Sequence, residues 1–179
     1  MESAALAPRR CRRAYARIER QAERLETLAI GPSETLNARA DSVSAWSVAE
    51  QLDHLAGANQ AMTGAIRKIL SSEPIDSRRR PTLIGQLVLL TGWIPRGAGK
   101  APAYTLPGSV SVDGVRQNLE AARGAIEELG DALPEIGRSS GRLDHFAFGG
   151  LTPLQWLRTM GVHTHHHMKI IRDIQRQVR

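Results

Sequence analysis

The sequence predicts an all-α fold, a four-helix bundle, on three observations. Four segments repeat apolar residues at alternating steps of three and four, none sustains the alternation of a strand, and Pro, Gly and Ser stretches separate them. The first segment covers residues 9–29, where Cys11, Tyr15, Ile18, Ala22, Leu25 and Leu28 draw one stripe among Arg, Glu and Gln, and Gly31-Pro32 ends it. The second opens on Ser47-Val48-Ala49-Glu50, a capping box in which Ser and Glu side chains satisfy each other's free amides. Its stripe continues through Leu52, Leu55, Met62, Ile66 and Ile69 and stops before Glu73-Pro74. The third starts near Ser111 and carries Val115, Leu119, Ala122, Ile126 and Leu129, with Gly130 as its expected C-cap. The fourth starts at Thr152, with Pro153 in the first helical position and Gln155 in the reciprocal capping place, and runs to about residue 177. Its stripe reads Leu157, Met160, Thr164, His167, Ile171, Ile174 and Val178, so a histidine stands where the core asks for an apolar residue.

Between the second and third helices lies a long connection. It contains a short apolar helix at residues 82–93, read as buried or groove-lining, and a Pro- and Gly-rich loop at residues 95–108. A loop of that length is usually functional or disordered, and covering one bundle end is a use for it. The pattern suggests an up-down-type bundle; the connection is long enough to permit a crossover, and handedness and neighbour order are left open. The 179 residues fit a single domain over 1–179. The apolar residues 83–93 offer either an internal face or a homodimer contact.

Composition narrows the function classes. The net charge is +6, but the bases fall in three separate groups at residues 9–13, 78–80 and 169–179. Aromatics are 4%, too few for a base-stacking platform, and no zinc-finger, basic-zipper or RNA-recognition pattern occurs, so a nucleic-acid partner is not expected. The N-terminal arginines are followed by no apolar run of the signal-peptide kind, and residues 82–94 are too short to span a bilayer, so no membrane partner is expected. A single cysteine, Cys11, fits a reducing cytoplasm.

The chemistry concentrates in histidine. Four of six occur in His163-Thr164-His165-His166-His167, the others being His54 and His145. On a helix His163 and His167 share a face, His165 points away and His166 takes the flank. Two imidazoles one turn apart can hold one divalent ion if another element adds a ligand, and His54, at the edge of the apolar face of the second helix, is the natural third. Three ligands with one open position is the arrangement of a catalytic rather than a structural site. Glu50, one turn before His54, and His145 in the loop before the fourth helix are the acid–base candidates.

These residues resemble a known family. Trp46-Ser47-Val48-Ala49-Glu50-Gln51-Leu52-Asp53-His54-Leu55 resembles the second-helix motif of the DinB-like, YfiT-type superfamily, and the His163–His167 run resembles its fourth-helix motif. Their order and separation also match. The resemblance implies a four-helix bundle holding a divalent metal, nickel or zinc, through His54, His163 and His167. The segment from His145 to Trp156 is similar to a His-Pro-x-Phe-Gly-x-Leu-Thr signature of one branch, with Phe146 in place of the proline and Ile170 in place of a later glutamine. By the same resemblance the expected function is that of a metal-dependent enzyme acting on a small-molecule substrate, a hydrolase or an S-transferase using a low-molecular-weight thiol. The alternative is a non-catalytic stress-related or small-molecule-binding bundle with incidental metal.

Overall fold

The computed structural model describes residues 7–71, 79–97, 102–108 and 111–178. Glu73, Pro74, Arg78 and residues 98–101 of the expected loop lie outside them. Four long helices form the body: α1 (Arg9–Ala29), α3 (Val48–Ser71), α5 (Val112–Glu127) and α7 (Pro153–Gln177), with short helices α2 (Ser33–Asn37), α4 (Leu83–Thr91) and α6 (Leu133–Arg138) between them.

The helix starts follow the capping chemistry of the sequence. Ser47 N donates to Glu50 Oε2 at 2.6 Å and Glu50 N donates to Ser47 Oγ at 3.2 Å. At α7, Thr152 N donates to Gln155 Oε1 at 2.9 Å and Gln155 N donates to Thr152 Oγ1 at 3.4 Å. Gly130 is not the expected left-handed C-cap: α5 ends at Glu127, only Gly92, Gly97 and Gly149 have positive φ among the described residues, and Gly130 N donates to Glu127 O instead. The turn stays right-handed because Leu129 and Leu133, both 1% exposed, must enter the same core as the chain passes into α6. Val178, expected on the α7 stripe, lies past the helix end and is half exposed.

Core composition fixes the helix directions. One apolar cluster joins the first half of α1 and of α7 to the second half of α3, and reaches Ile126 near the end of α5. The other joins the second half of α1 and of α7 to the first halves of α3 and α5. Thus α1 and α7 run one way while α3 and α5 run the other. The order is up-down-down-up, and the long connection between α3 and α5 is the crossover. Side by side in the bundle, α3 packs on α5 and α7, and α1 packs on the same two. Between the clusters lies a polar layer, where Gln21 donates to Gly161 O at 3.0 Å and Thr164 donates to Asn59 at 3.3 Å.

Two small features escaped the helical periodicity. Leu143–His145 (β1) and Gly149–Leu151 (β2) form an antiparallel hairpin, pairing Leu143 with Leu151 and His145 with Gly149. The hairpin holds the start of α4: Thr82 N donates to Phe148 O at 2.8 Å, and a Cβ on Gly85 would stand 2.6 Å from that same carbonyl oxygen, so only glycine permits the approach. The expectation of a buried α4 holds for one side only. Val88 and Leu89 face inward, whereas Leu83, Ile84, Leu87 and Leu90 stand in solvent because a nine-residue helix that is apolar all round has a neighbour along one face. No helix among the described residues is long and apolar enough to cross a membrane.

Candidate metal centre

His54 projects from α3 toward α7, where His163 and His167 stand one turn apart. One ring nitrogen from each of the three falls within 4.8 Å of the others, the only such group of three metal-binding side chains among the described residues. Ring centroids are 5.1 Å apart for His54–His163, 4.6 Å for His54–His167 and 4.6 Å for His163–His167. His165 is exposed and His166 lies on the flank, its ring edge-on to His167.

Hydrogen bonds fix which nitrogen of two rings is free. Nδ1 of His54 lies 2.6 Å from the carbonyl oxygen of Thr105, which can only accept, so Nδ1 carries the proton and Nε2 the lone pair. Nδ1 of His167 lies 2.6 Å from Gln51 Oε1, with Gln51 Nε2 directed to Ser44 Oγ at 2.9 Å, and in this amide orientation the oxygen accepts from a protonated Nδ1. His167 therefore also presents a bare Nε2. Burial pushes His54 and His167 below their ordinary pKa and His163 down to about 3, so all three rings are neutral at pH 7. Two of the Nε2 atoms, those of His54 and His163, face each other at 3.3 Å, and the buried Nδ1 of His163 has no partner. Either His163 spends its Nε2 proton on His54 and leaves a bare buried acceptor, or two lone pairs point at one another. A divalent cation held by the three histidines would relieve that repulsion by accepting the ring lone pairs. The donor set thus fits a divalent ion with affinity for imidazole.

The elements around the site are positioned by local sequence. Trp46, just before the Ser47 cap, lies with its ring centroid 5.0 Å from that of His54 and 6.5 Å from that of His167, forming an aromatic wall. Thr105 sits in a single turn of 3-10 helix (Ala103–Thr105) within the connection, so the Pro- and Gly-rich loop supplies a carbonyl to His54. Gln51, Thr105 and Trp46 were not singled out by sequence reasoning as supports of the site. Gln51 had a signal, since it lies three residues before His54 on the same face of α3. Thr105 had none, because a backbone carbonyl carries no residue signature.

The two acid–base candidates are engaged elsewhere. The Glu50 carboxylate accepts from Ser47 N and pairs with Arg39 at 2.8 Å, contacts that hold it below the usual carboxylate range. His145 Nδ1 accepts from Ala147 N at 3.1 Å and from Phe148 N at 3.3 Å, and its ring stacks on Phe148 with centroids 4.5 Å apart. Neither belongs to the three-histidine group. Burial lowers His145 from its ordinary 6.5 to about 4. Folding therefore holds this ring neutral, and the stability so gained is complete above pH 6.5 and lost as pH falls toward 4. The expected slope is at most about 1.4 kcal/mol per pH unit over that window. Urea denaturation from pH 4 to 7 checks it: His145→Gln, which keeps an acceptor and does not titrate, gives a flatter acid limb than the parent protein.

Removing the support of a ligand gives a second expected result. Gln51→Leu leaves the His167 Nδ1 proton without its acceptor and frees the ring to rotate. Loss of such a partner typically costs 10–100-fold in metal affinity, measurable by calorimetric titration with nickel at pH 7.5.

No curated protein and no solved structure matches this chain. A family model described as the DinB superfamily matches residues 13–171, from early in α1 to late in α7 and across both ligand-bearing helices, and the chain belongs to that superfamily.

Proposed function

We propose that this protein is a metal-dependent enzyme whose ion is held by His54, His163 and His167. The observation that supports this reading is the polarity of the site: Thr105 and Gln51 engage the outer nitrogens of His54 and His167, leaving one ring nitrogen from each of the three histidines within 4.8 Å of the others, with His54 and His167 buried and His163 half-buried. A core selected for stability alone would place apolar residues there, as it does directly on either side of the polar layer. Nickel or zinc suits three imidazoles, and three protein ligands leave a coordination position for substrate. A divalent ion in that position supplies Lewis acidity toward a thiol or water at neutral pH.

The chain's own residues do the rest. Gln51 and Thr105 hold protons on the outer ring nitrogens, so His54 and His167 enter as neutral donors. The indole of Trp46 excludes water from the side it covers. Glu50 is assigned the cap of α3 and the position of Trp46–Ser47 relative to His54, and His145 is assigned the turn of the hairpin. For the reaction, transfer involving a low-molecular-weight thiol is the reading taken, with hydrolysis of a small molecule as the second form of the same metal chemistry. Elemental analysis of untagged protein tests the metal, with about one nickel or zinc per chain expected. Protein that contains neither ion and cannot be loaded with either refutes the proposal. For the loaded protein, turnover of an electrophile such as 1-chloro-2,4-dinitrobenzene with a panel of thiols tests the reaction class, and activity on ester substrates alone assigns hydrolysis instead.

A further inference from the structure

Away from the histidines, an open groove of about 1230 Å³ runs between α1, α4 and the first half of α7. Its lining includes Arg9, Arg10, Arg13, Arg17, Arg138 and Arg158 and not one carboxylate. The three arginines at positions 9, 13 and 17 follow one another at single-turn spacing, about 6 Å apart along the axis of α1. Leu89 and Leu90 of α4 and Leu154 of α7 contribute an apolar side to the same groove.

Elsewhere on the molecule arginines find acids. Arg39 pairs with Glu50, Arg79 with Asp144, Arg116 with Asp113 and Arg123 with Glu26. In the groove, Arg9, Arg10, Arg13, Arg17 and Arg138 form no ion pair with a carboxylate of the described residues. Two further observations favour an anion in this groove. The first turn of α1 contains no acidic residue and no side-chain cap, yet Arg9 and Arg10 stand there, at the end of the helix where the backbone dipole is already positive. Arg17 is half-buried, its stem lying over Gly161, where a Cβ would come within 3.4 Å of Arg17 Cδ. A partly desolvated guanidinium among like charges, with no carboxylate of the described residues paired to it, is an unfavourable arrangement that a bound anion relieves.

We propose that this groove binds a single-chain anionic amphiphile, with its phosphate or carboxylate head among Arg9, Arg13 and Arg17 and its apolar chain along Leu89, Leu90 and Leu154. The chemistry selects this class over the other polyanions. No aromatic side chain lines the groove, so it offers nothing for nucleobases to stack on. It is concave, which suits one molecule rather than the plane of a bilayer. The leucines have no use for a purely ionic ligand such as inorganic phosphate. The site is separate from the histidine centre and does not depend on how that centre functions.

Calorimetric titration of the intact protein with dodecyl phosphate, below its micelle concentration, tests the proposal. One molecule per chain is expected to bind, weakening with added salt. Arg13→Gln/Arg17→Gln is expected to weaken binding at least tenfold, and Leu90→Ser, at a position 83% exposed, by about threefold. Inorganic phosphate should bind at least tenfold more weakly than dodecyl phosphate, and dodecyl maltoside, which carries the chain without the charge, should not compete. If the first double variant fails to fold, Arg9→Gln/Arg13→Gln, both at exposed positions, takes its place. The proposal is overturned if dodecyl phosphate does not bind or if the arginine variants bind it as well as the parent. It also fails if maltoside binds equally, if inorganic phosphate is equally tight, or if a twelve-residue oligothymidylate binds more tightly than the amphiphile.

Discussion

His167→Ala is expected to remove stoichiometric metal binding, with affinity for nickel or zinc falling by at least a thousandfold. The size of the effect follows from the geometry. His54 and His163 alone give two donors facing each other at 3.3 Å, and no third metal-binding side chain among the described residues reaches them. The variant also leaves Gln51 Oε1 without its partner, so some loss of stability accompanies the loss of metal. His165→Ala is the control. That ring is exposed, outside the group, and its removal leaves metal content unchanged. Elemental analysis of untagged protein after dialysis separates the two results. Equal metal content in both variants would mean that the ion sits elsewhere in the histidine run.

Ile66→Ala carries the second large effect. Ile66 is completely buried in the cluster that joins α3 to the first halves of α1 and α7. Truncating such a side chain removes its transfer energy and leaves a cavity, a loss of about 2–5 kcal/mol. The residue stands twelve positions beyond His54, about 18 Å along α3, so ligand geometry is untouched. Metal that binds the folded chain alone returns about 2.7 kcal/mol when present at a hundred times its dissociation constant. Urea denaturation of Ile66→Ala with and without nickel is expected to show the loss in the metal-free protein and recovery of about that amount in the loaded one. Recovery close to zero would mean that the ion binds folded and unfolded chains alike.

Much of this was legible before any coordinates. The 3.6-residue stripes placed the four long helices, because each must bury one face. Ser47–Glu50 and Thr152–Gln155 fixed two helix starts, because capping is a local matter of three residues. The histidine group was legible because His167 breaks an apolar stripe, His163 lies one turn away on the same side, and the family resemblance points to His54. What escaped depends on distant partners. The parallel run of α3 and α5 follows from which halves share a core, and a stripe carries no direction. Gly130 looked like a cap by identity, while burial of Leu129 and Leu133 decided its conformation. The hairpin at residues 143–151 is too short to show alternation. Glu50 and His145 suggest proton transfer by type and position, and the hydrogen bonds each makes outside the three-histidine group carry no sequence signature.

The site joins distant parts of the chain: His54 stands 109 positions before His163, which is itself one turn from His167. The crossover between α3 and α5 falls inside that interval. An ion held by His54 together with the α7 pair would close a loop that spans more than half of the polypeptide, and closure entropy grows with loop length. The centre cannot assemble until the last helix has docked on the first half of the chain. With the proposed ion in place, metal uptake during refolding would be a late event, and chelation would remove a link between α3 and α7.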